Sequence, residues 1–181
     1  MWRSTHTHWG RLSRGLHWVM AVGFVAAFYL GFTMVLLPLS LTKMKTYALH
    51  KSIGMTLLLL ALIRLGWRRW GELTPTPLPA APWANRLAQA VHGLLYVGML
   101  SLPLTGWWYN SASGYPVQVF GWFNVPHLGA ADPLLKPIAH TAHLLSVWAM
   151  LSLLSLHVLA ALKHHFIDHD STLRRMLGLS G

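Results

Sequence analysis

Four long apolar segments dominate the pattern of hydrophobic and polar positions along the chain. They cover about residues 15–38, 47–67, 86–108 and 138–166. Each is long enough to cross a hydrocarbon layer about 30 Å thick, which takes about 20 apolar residues in a helix. The pattern therefore predicts an all-α fold, an integral membrane four-helix bundle, with residues 1–181 as a single membrane domain.

The polar stretches between these segments are predicted to be connections. Residues 40–46 join the first two helices, and the proline-rich residues 71–82 are predicted to form a loop because proline ends helices. Residues 109–137 contain glycines, prolines and aromatic residues and are predicted to form a long surface loop.

Composition supports the membrane class and narrows the chemistry. The chain is 54% hydrophobic and only 10% charged. It has no cysteine, so disulfides, thiolate zinc sites and iron–sulfur clusters are excluded, and metal chemistry falls to the twelve histidines. The net charge of +10 favours an anionic lipid, cofactor or substrate over nucleic acid in so apolar a chain.

The distribution of basic residues predicts the orientation. With four spans, the N-terminus, the second connection and the C-terminus share one side of the membrane, and that side holds ten of the fourteen lysines and arginines. The positive-inside rule then places both termini in the cytoplasm and the 109–137 loop on the opposite side of the membrane.

Four of the histidines within the predicted spans form two pairs by depth. His143 and His157 are fourteen residues apart on the fourth helix, which is close to four turns, so they share a face and stand about 21 Å apart along the axis. By topology, His17 on the first helix lies at the cytoplasmic depth of His157, and His50 on the second lies at the outer depth of His143. Ionisable side chains inside a membrane are costly, so each is a functional candidate.

Two facing imidazoles at each depth suit the two axial positions of a haem iron, whereas a zinc site needs more ligands. The chain has no Cys-x-x-Cys-His motif, so the haem would be non-covalent and b-type. The prediction is two haem b groups that transfer electrons.

Two other histidines leave alternatives open for the ligand set. His140 is the rival of His143, but it lies about 100° from the face that His157 defines. His92 has no partner at its depth, so it is either structural or a hydrogen-bond donor to a haem propionate.

Two further groups are candidates for the chemistry at the membrane surfaces. His164 lies seven residues beyond His157 on nearly the same face, and it is either a proton-transferring residue beside the inner haem or an interfacial histidine. Lys43, Lys45 and Lys51 are either interface anchors or a positive mouth that attracts a small anion to the outer haem.

Several motifs together resemble the bacterial cytochrome b561 family over about residues 11–177. They are Arg14-x-x-His17-Trp18, His50-Lys51-Ser52-Ile53-Gly54, the stretch from Tyr109 to Gly114 with Phe120-Gly121, His143 through His157 to Lys163-His164-His165, and Thr172 to Met176. The resemblance implies a four-helix membrane bundle in the bacterial inner membrane. It also implies two b haems, one bound by His17 with His157 and the other by His50 with His143.

The resemblance further implies an activity. The best understood type of the family is a superoxide oxidase, which passes electrons from periplasmic superoxide through both haems to ubiquinone. In that type His164 matches a position associated with the quinone site, and the three lysines would guide the anion. The serine-rich stretch 111–113 is closer to other paralogues than to the best-known member.

The sequence therefore predicts a superoxide:ubiquinone oxidoreductase, although it equally allows electrons to flow from quinol to oxygen. A second hypothesis is a cytochrome b subunit that links a partner dehydrogenase or hydrogenase to the quinone pool and docks through the 109–137 loop. A third, a transition-metal transporter, is disfavoured because the chain has only four acidic residues and none lies within a span.

Overall fold

Four long helices form the structure, a computed structural model that describes residues 2–70, 75–76 and 81–179. They are α1 (Arg11–Leu36), α2 (Leu41–Trp70), α3 (Pro82–Ala112) and α4 (Leu135–Phe166), and each is long and apolar enough to cross a membrane. The described remainder includes two short strands, β1 (Val117–Val119) and β2 (Phe123–Val125), and a terminal helix, α5 (Thr172–Leu177). The helices agree with the predicted membrane bundle, whereas the strands are not part of the all-α prediction.

The second helix begins earlier than predicted, so a connection over residues 40–46 is wrong. Helix α2 starts at Leu41, and the hydroxyl oxygen of Ser40 accepts the backbone N–H of Lys43 at 3.2 Å. A serine in that position caps a helix by satisfying one of its free N–H groups. The early lysines therefore lie in the first turns of a helix.

The third helix is also longer than predicted and takes the first residues of the predicted 109–137 loop. It starts at Pro82, where a proline needs no N–H partner. It continues to Ala112, with the Asn110 amide donating to Gly106 O at 3.1 Å. Most of the predicted 71–82 loop lies outside the described residues.

The two strands form a β-hairpin that docks on α2. They pair antiparallel, with Val117 opposite Val125. The buried Ser52 of α2 holds the hairpin, because its hydroxyl oxygen accepts the Phe120 N–H at 2.9 Å and lies 3.2 Å from Gln118 O. The end of the bundle that carries the hairpin is called here the hairpin end.

The described ends of the chain meet at the opposite end of the bundle, called here the terminal end. Thr76 donates its N–H to His6 O at 2.8 Å, and Arg175 of α5 donates to Thr76 O at 3.1 Å. The indole of Trp18 donates to Met176 O at 3.1 Å. The N-terminal segment, the connection between α2 and α3 and the C-terminal helix therefore lie together, as the four-span topology requires.

Helix packing leaves α4 apart from the first two helices. Helix α1 packs on α2, α2 on α3 and α3 on α4, and among the described residues no comparable backbone packing joins α4 to α1 or α2. Outward side chains such as Val22, Val25 and Leu145 are about two-thirds exposed, as expected for a lipid-facing surface. The shared core consists of Met20, Phe24, Leu57, Ala61, Val91, Leu95, Met99, Leu102 and Met150.

Candidate functional site

The hairpin-end pair consists of His50 of α2 and His143 of α4, whose ring centres are 6.5 Å apart at an interplanar angle of 80°. His50 Nδ1 donates to Ala27 O of α1 at 2.9 Å. His143 Nδ1 lies 3.3 Å from the hydroxyl of Thr105, which itself donates to Leu102 O and so accepts from the ring. Both Nδ1 atoms therefore carry the ring proton, and each Nε2 lone pair is free to bind a metal.

Glycines make room for these two rings. A Cβ atom at Gly31 would lie 3.2 Å from His50 Cε1, and one at Gly106 would lie 3.1 Å from His143 Cε1. One turn along α2 from His50, a Cβ atom at Gly54 would meet nothing within 4 Å. The close approach of Gly106 to His143 is recognised only once the helices are placed.

The terminal-end pair consists of His17 of α1 and His157 of α4, whose ring centres are 6.2 Å apart at 67°. Arg64 of α2 points at this pair, with Nη1 3.3 Å from His17 Nδ1. A guanidinium can only donate, so Nδ1 is the acceptor in this contact. Metal binding through Nε2 of a neutral ring requires the proton on Nδ1, so Arg64 must turn away from His17 when the ring is a ligand.

The spacing of the rings in both pairs is compatible with two imidazoles that hold one iron between them. A metal–imidazole bond is about 2 Å long and the bonded nitrogen is about 1 Å from the ring centre, so rings on opposite sides of one iron have centres about 6 Å apart. The observed 6.2 Å and 6.5 Å agree with that distance. The helices that each pair bridges lack close backbone packing, so in each pair the two rings meet between helices that do not pack directly on each other.

A bare metal ion fits these residues less well. Among the residues that the structure describes, no three histidine, aspartate or glutamate side chains are arranged to hold a metal ion. The donor set is two imidazoles per site, and a porphyrin would supply the remaining four ligands. The residues therefore fit two haem groups better than two zinc ions.

His140 and His92, the two histidines left open as alternatives, occupy different positions. His140 is exposed and its ring contacts Tyr109, with centres 5.0 Å apart. His92 of α3 lies beside the terminal-end pair, with its ring centre 5.5 Å from that of His157. The sequence alone does not predict the His92 contact, because it depends on how α3 is rotated against α4.

His164 lies in the last turn of α4 within an acidic cluster. Its Nδ1 is 3.0 Å from Asp168 Oδ2 and 2.9 Å from Asp170 Oδ2. The Lys163 ammonium donates to Asp168 at 2.7 Å and holds the pKa of that carboxyl below its ordinary value. The chain turns back after α4, with the Asp170 N–H bonded to His164 O, and this turn brings both carboxylates to the ring.

The three predicted surface lysines lie in the first turns of α2 and differ in their surroundings. Lys43 Nζ donates to Leu37 O at 2.7 Å, and Lys51 Nζ donates to Pro116 O of the hairpin segment at 3.3 Å. Lys45 is the exposed one of the three. Two of the ammonium groups thus bind backbone carbonyls, and Lys45 faces solvent or lipid headgroups.

Comparison with known proteins places this geometry in a family. Residues 8–179 match the family model described as prokaryotic cytochrome b561. The chain is 37% identical over 179 residues to cytochrome b561 homolog 2 of Escherichia coli K12, an alignment that covers 98% of this chain and 95% of that protein. It is 32% identical over 169 residues to cytochrome b561 homolog 1 of the same organism, covering 90% and 92%.

A third relative carries a name with a stated activity. The chain is 27% identical over 182 residues to the probable superoxide oxidase CybB of Yersinia pestis, covering 95% of this chain and 97% of that protein.

The matched region includes all four membrane-length helices and both histidine pairs. It identifies a multi-pass protein of the bacterial inner membrane, and the family implies bound haem b and electron transfer. The chain belongs to the prokaryotic cytochrome b561 family.

Proposed function

We propose that this protein is a di-haem cytochrome b that transfers electrons across the inner membrane from superoxide to ubiquinone. The observation that carries the proposal is the presence of two facing imidazole pairs, at 6.2 Å and 6.5 Å between ring centres, at two levels of the bundle. The 27% identical relative named as a probable superoxide oxidase supports the choice of substrate.

The histidines have distinct roles in this proposal. His17 and His157 hold one haem, and His50 and His143 hold the other. When bound, each haem would supply a one-electron carrier, and two imidazole ligands on one iron would favour electron transfer over oxygen binding. The surrounding helices exclude water and fix the separation of the two sites.

The orientation follows from the charge distribution. The side that holds ten of the fourteen lysines and arginines faces the cytoplasm by the positive-inside rule, and this is the terminal end. The hairpin end with His50 and His143 then faces the periplasm, where superoxide arrives.

Lysines at the hairpin end support attraction of a small anion. Lys45 is exposed, and Lys43 and Lys51 add positive charge at the same end of α2. Such charges raise the rate at which an anion reaches the surface, and salt weakens the effect.

His164 is proposed to transfer protons to and from quinone at the terminal end. Asp168 and Asp170 both approach its Nδ1, which keeps the proton on that nitrogen and leaves Nε2 to exchange a proton with the quinone. The cluster opens toward the cytoplasm, so protons can be replaced from solvent.

The direct test uses the purified protein and an enzymatic superoxide source, and follows the haem absorption band. The proposal expects rapid reduction that superoxide dismutase abolishes, and reoxidation by a soluble ubiquinone analogue. The variant Lys45→Gln should slow reduction at low salt, whereas His164→Asn should slow reoxidation and leave reduction unchanged. Absence of reduction by superoxide contradicts the proposal.

A second candidate function is an electron-transfer subunit for a partner dehydrogenase or hydrogenase. The observation that favours it is the exposed aromatic surface of the hairpin, where Trp122 is 83% exposed, Phe123 57% and Phe120 46%. Exposed aromatic residues are typical of protein interfaces. Haems that quinol reduces but superoxide does not would favour this alternative.

A further inference from the structure

Two arginines form a cationic cluster beside the terminal-end pair. The guanidinium carbons of Arg64 and Arg68 lie 5.9 Å and 5.3 Å from the centre of the Tyr96 ring. Each arginine also donates to the Tyr96 hydroxyl at 3.4 Å. Among the described residues, no carboxylate lies within ion-pair distance of either arginine. The cluster therefore carries two positive charges without a balancing negative one.

The position of this cluster brings its charge close to the histidine ligands. Arg64 Nη1 is 3.3 Å from His17 Nδ1, and the ring centre of His17 is 6.2 Å from that of His157. Arg68 donates to the same Tyr96 hydroxyl as Arg64, so the second positive charge lies next to the first. When His17 binds iron and Arg64 turns away from it, the contacts with Tyr96 keep the guanidinium within the cluster.

The hairpin-end pair has a different charge environment. Its two Nδ1 atoms donate to oxygen atoms, those of Ala27 and Thr105, and such donation makes a ligand imidazole more basic. Lys51 follows His50 directly in α2, and its ammonium is turned toward the hairpin carbonyl of Pro116. Among the described residues, the hairpin-end pair thus has the Lys51 ammonium directed away from it, whereas the terminal-end pair has the Arg64 guanidinium pointing at it and Arg68 next to that group.

Charge of this kind determines where an electron is more stable. A ferric haem has one more positive charge than a ferrous haem, so nearby cations favour the reduced form and basic ligands favour the oxidised form. We infer that Arg64 and Arg68 hold the reduction potential of the terminal-end centre above that of the hairpin-end centre. This inference rests on the proposed function in that each histidine pair must bind a haem.

The inference assigns a direction to electron transfer. Movement of one electron from the hairpin-end centre to the terminal-end centre oxidises the first and reduces the second, and no bond or proton changes with it. With the potentials in this order, the step from the periplasmic to the cytoplasmic side is downhill.

Redox titration of the purified holoprotein tests the inference without any activity assay. The variant His50→Ala removes the hairpin-end centre and so assigns the remaining potential to the terminal end. In Arg64→Gln and in Arg68→Gln, we expect the one-electron equilibrium constant of the terminal-end centre to shift at least tenfold toward the oxidised form, which is about 59 mV. The hairpin-end potential should not change.

Two further variants separate local charge from other effects. Arg69→Gln removes an exposed positive charge from the next position of α2, which points about 100° away, and should leave both potentials unchanged. Arg64→Lys keeps the charge and should retain most of the wild-type potential. Haem content, read from the same spectra, shows whether each variant is intact.

Three results overturn the inference: a wild-type terminal-end potential below that of the hairpin end, unchanged potentials in both glutamine variants, or an equal shift in Arg69→Gln. If the protein binds two haems whose potentials do not depend on the arginines, the inference fails and the proposed function is not affected. Fewer than two haems per chain would overturn both.

Discussion

Replacing Thr105 with valine removes the partner of one proposed haem ligand while keeping the side chain's shape. The hydroxyl lies 3.3 Å from His143 Nδ1, and its loss removes one of two acceptors near the ring N–H, the other being the Leu102 carbonyl. Loss of one such hydrogen bond costs about 0.5–1.5 kcal/mol, which corresponds to a factor of about 2–13 in an equilibrium constant. The affinity of the hairpin-end site for haem should fall by that factor, and the terminal-end site should not change.

Transfer of haem from the purified protein to an excess of an apoglobin measures this effect. One of the two haems in Thr105→Val should leave about 2–13 times faster than in the wild type, and the other should leave at the wild-type rate. The matched control is Thr56→Val, because Thr56 also donates to a carbonyl of its own helix, that of Ser52 at 2.9 Å, and not to a histidine. Equal release rates from the two variants would refute the proposed role of Thr105.

Three other predictions concern packing and charge. Ser52→Ala should loosen the hairpin by about 1–3 kcal/mol because a backbone N–H loses its acceptor, and faster amide hydrogen exchange in residues 117–125 measures it. Gly98→Val should lower the free energy of unfolding by about 1–3 kcal/mol, since a Cβ atom there would lie 2.8 Å from Met150 Sδ. Unfolding in sodium dodecyl sulfate measures this, and an unchanged midpoint would contradict the packing. In an NMR titration, the pKa of the Asp168 carboxyl should lie below its ordinary value of 3.8, and Lys163→Gln should raise that pKa. The stabilisation from this ion pair is present above 3.8 and is lost as pH falls through the lowered pKa.

Much of the bundle is predictable because it depends on local sequence. Long apolar runs define the four helices, and helical periodicity places His143 and His157 on one face. Topology then pairs each of them with a histidine at the same depth, and the structure brings both pairs within 6.5 Å. These steps need no knowledge of how the helices are rotated.

The features that sequence reasoning misses depend on long-range contacts. The hairpin has strands of three residues, too short for a recognisable pattern, and it is held by Ser52, which lies 68 positions before Phe120. The contact between Arg64 and His17 depends on the rotation of α2 against α1, which no periodicity in either helix specifies. The early start of α2 does not depend on a long-range contact, because the capping residue, Ser40, lies directly before the helix.

The stoichiometry of haem in the purified protein tests the central claim most directly, since every proposed role depends on two imidazole pairs that each hold one iron porphyrin. Pyridine haemochrome analysis should give two haem b groups per chain in the wild type and one in His143→Ala, with the terminal-end spectrum retained. One haem or none in the wild type, or two haems in His143→Ala, would contradict the account.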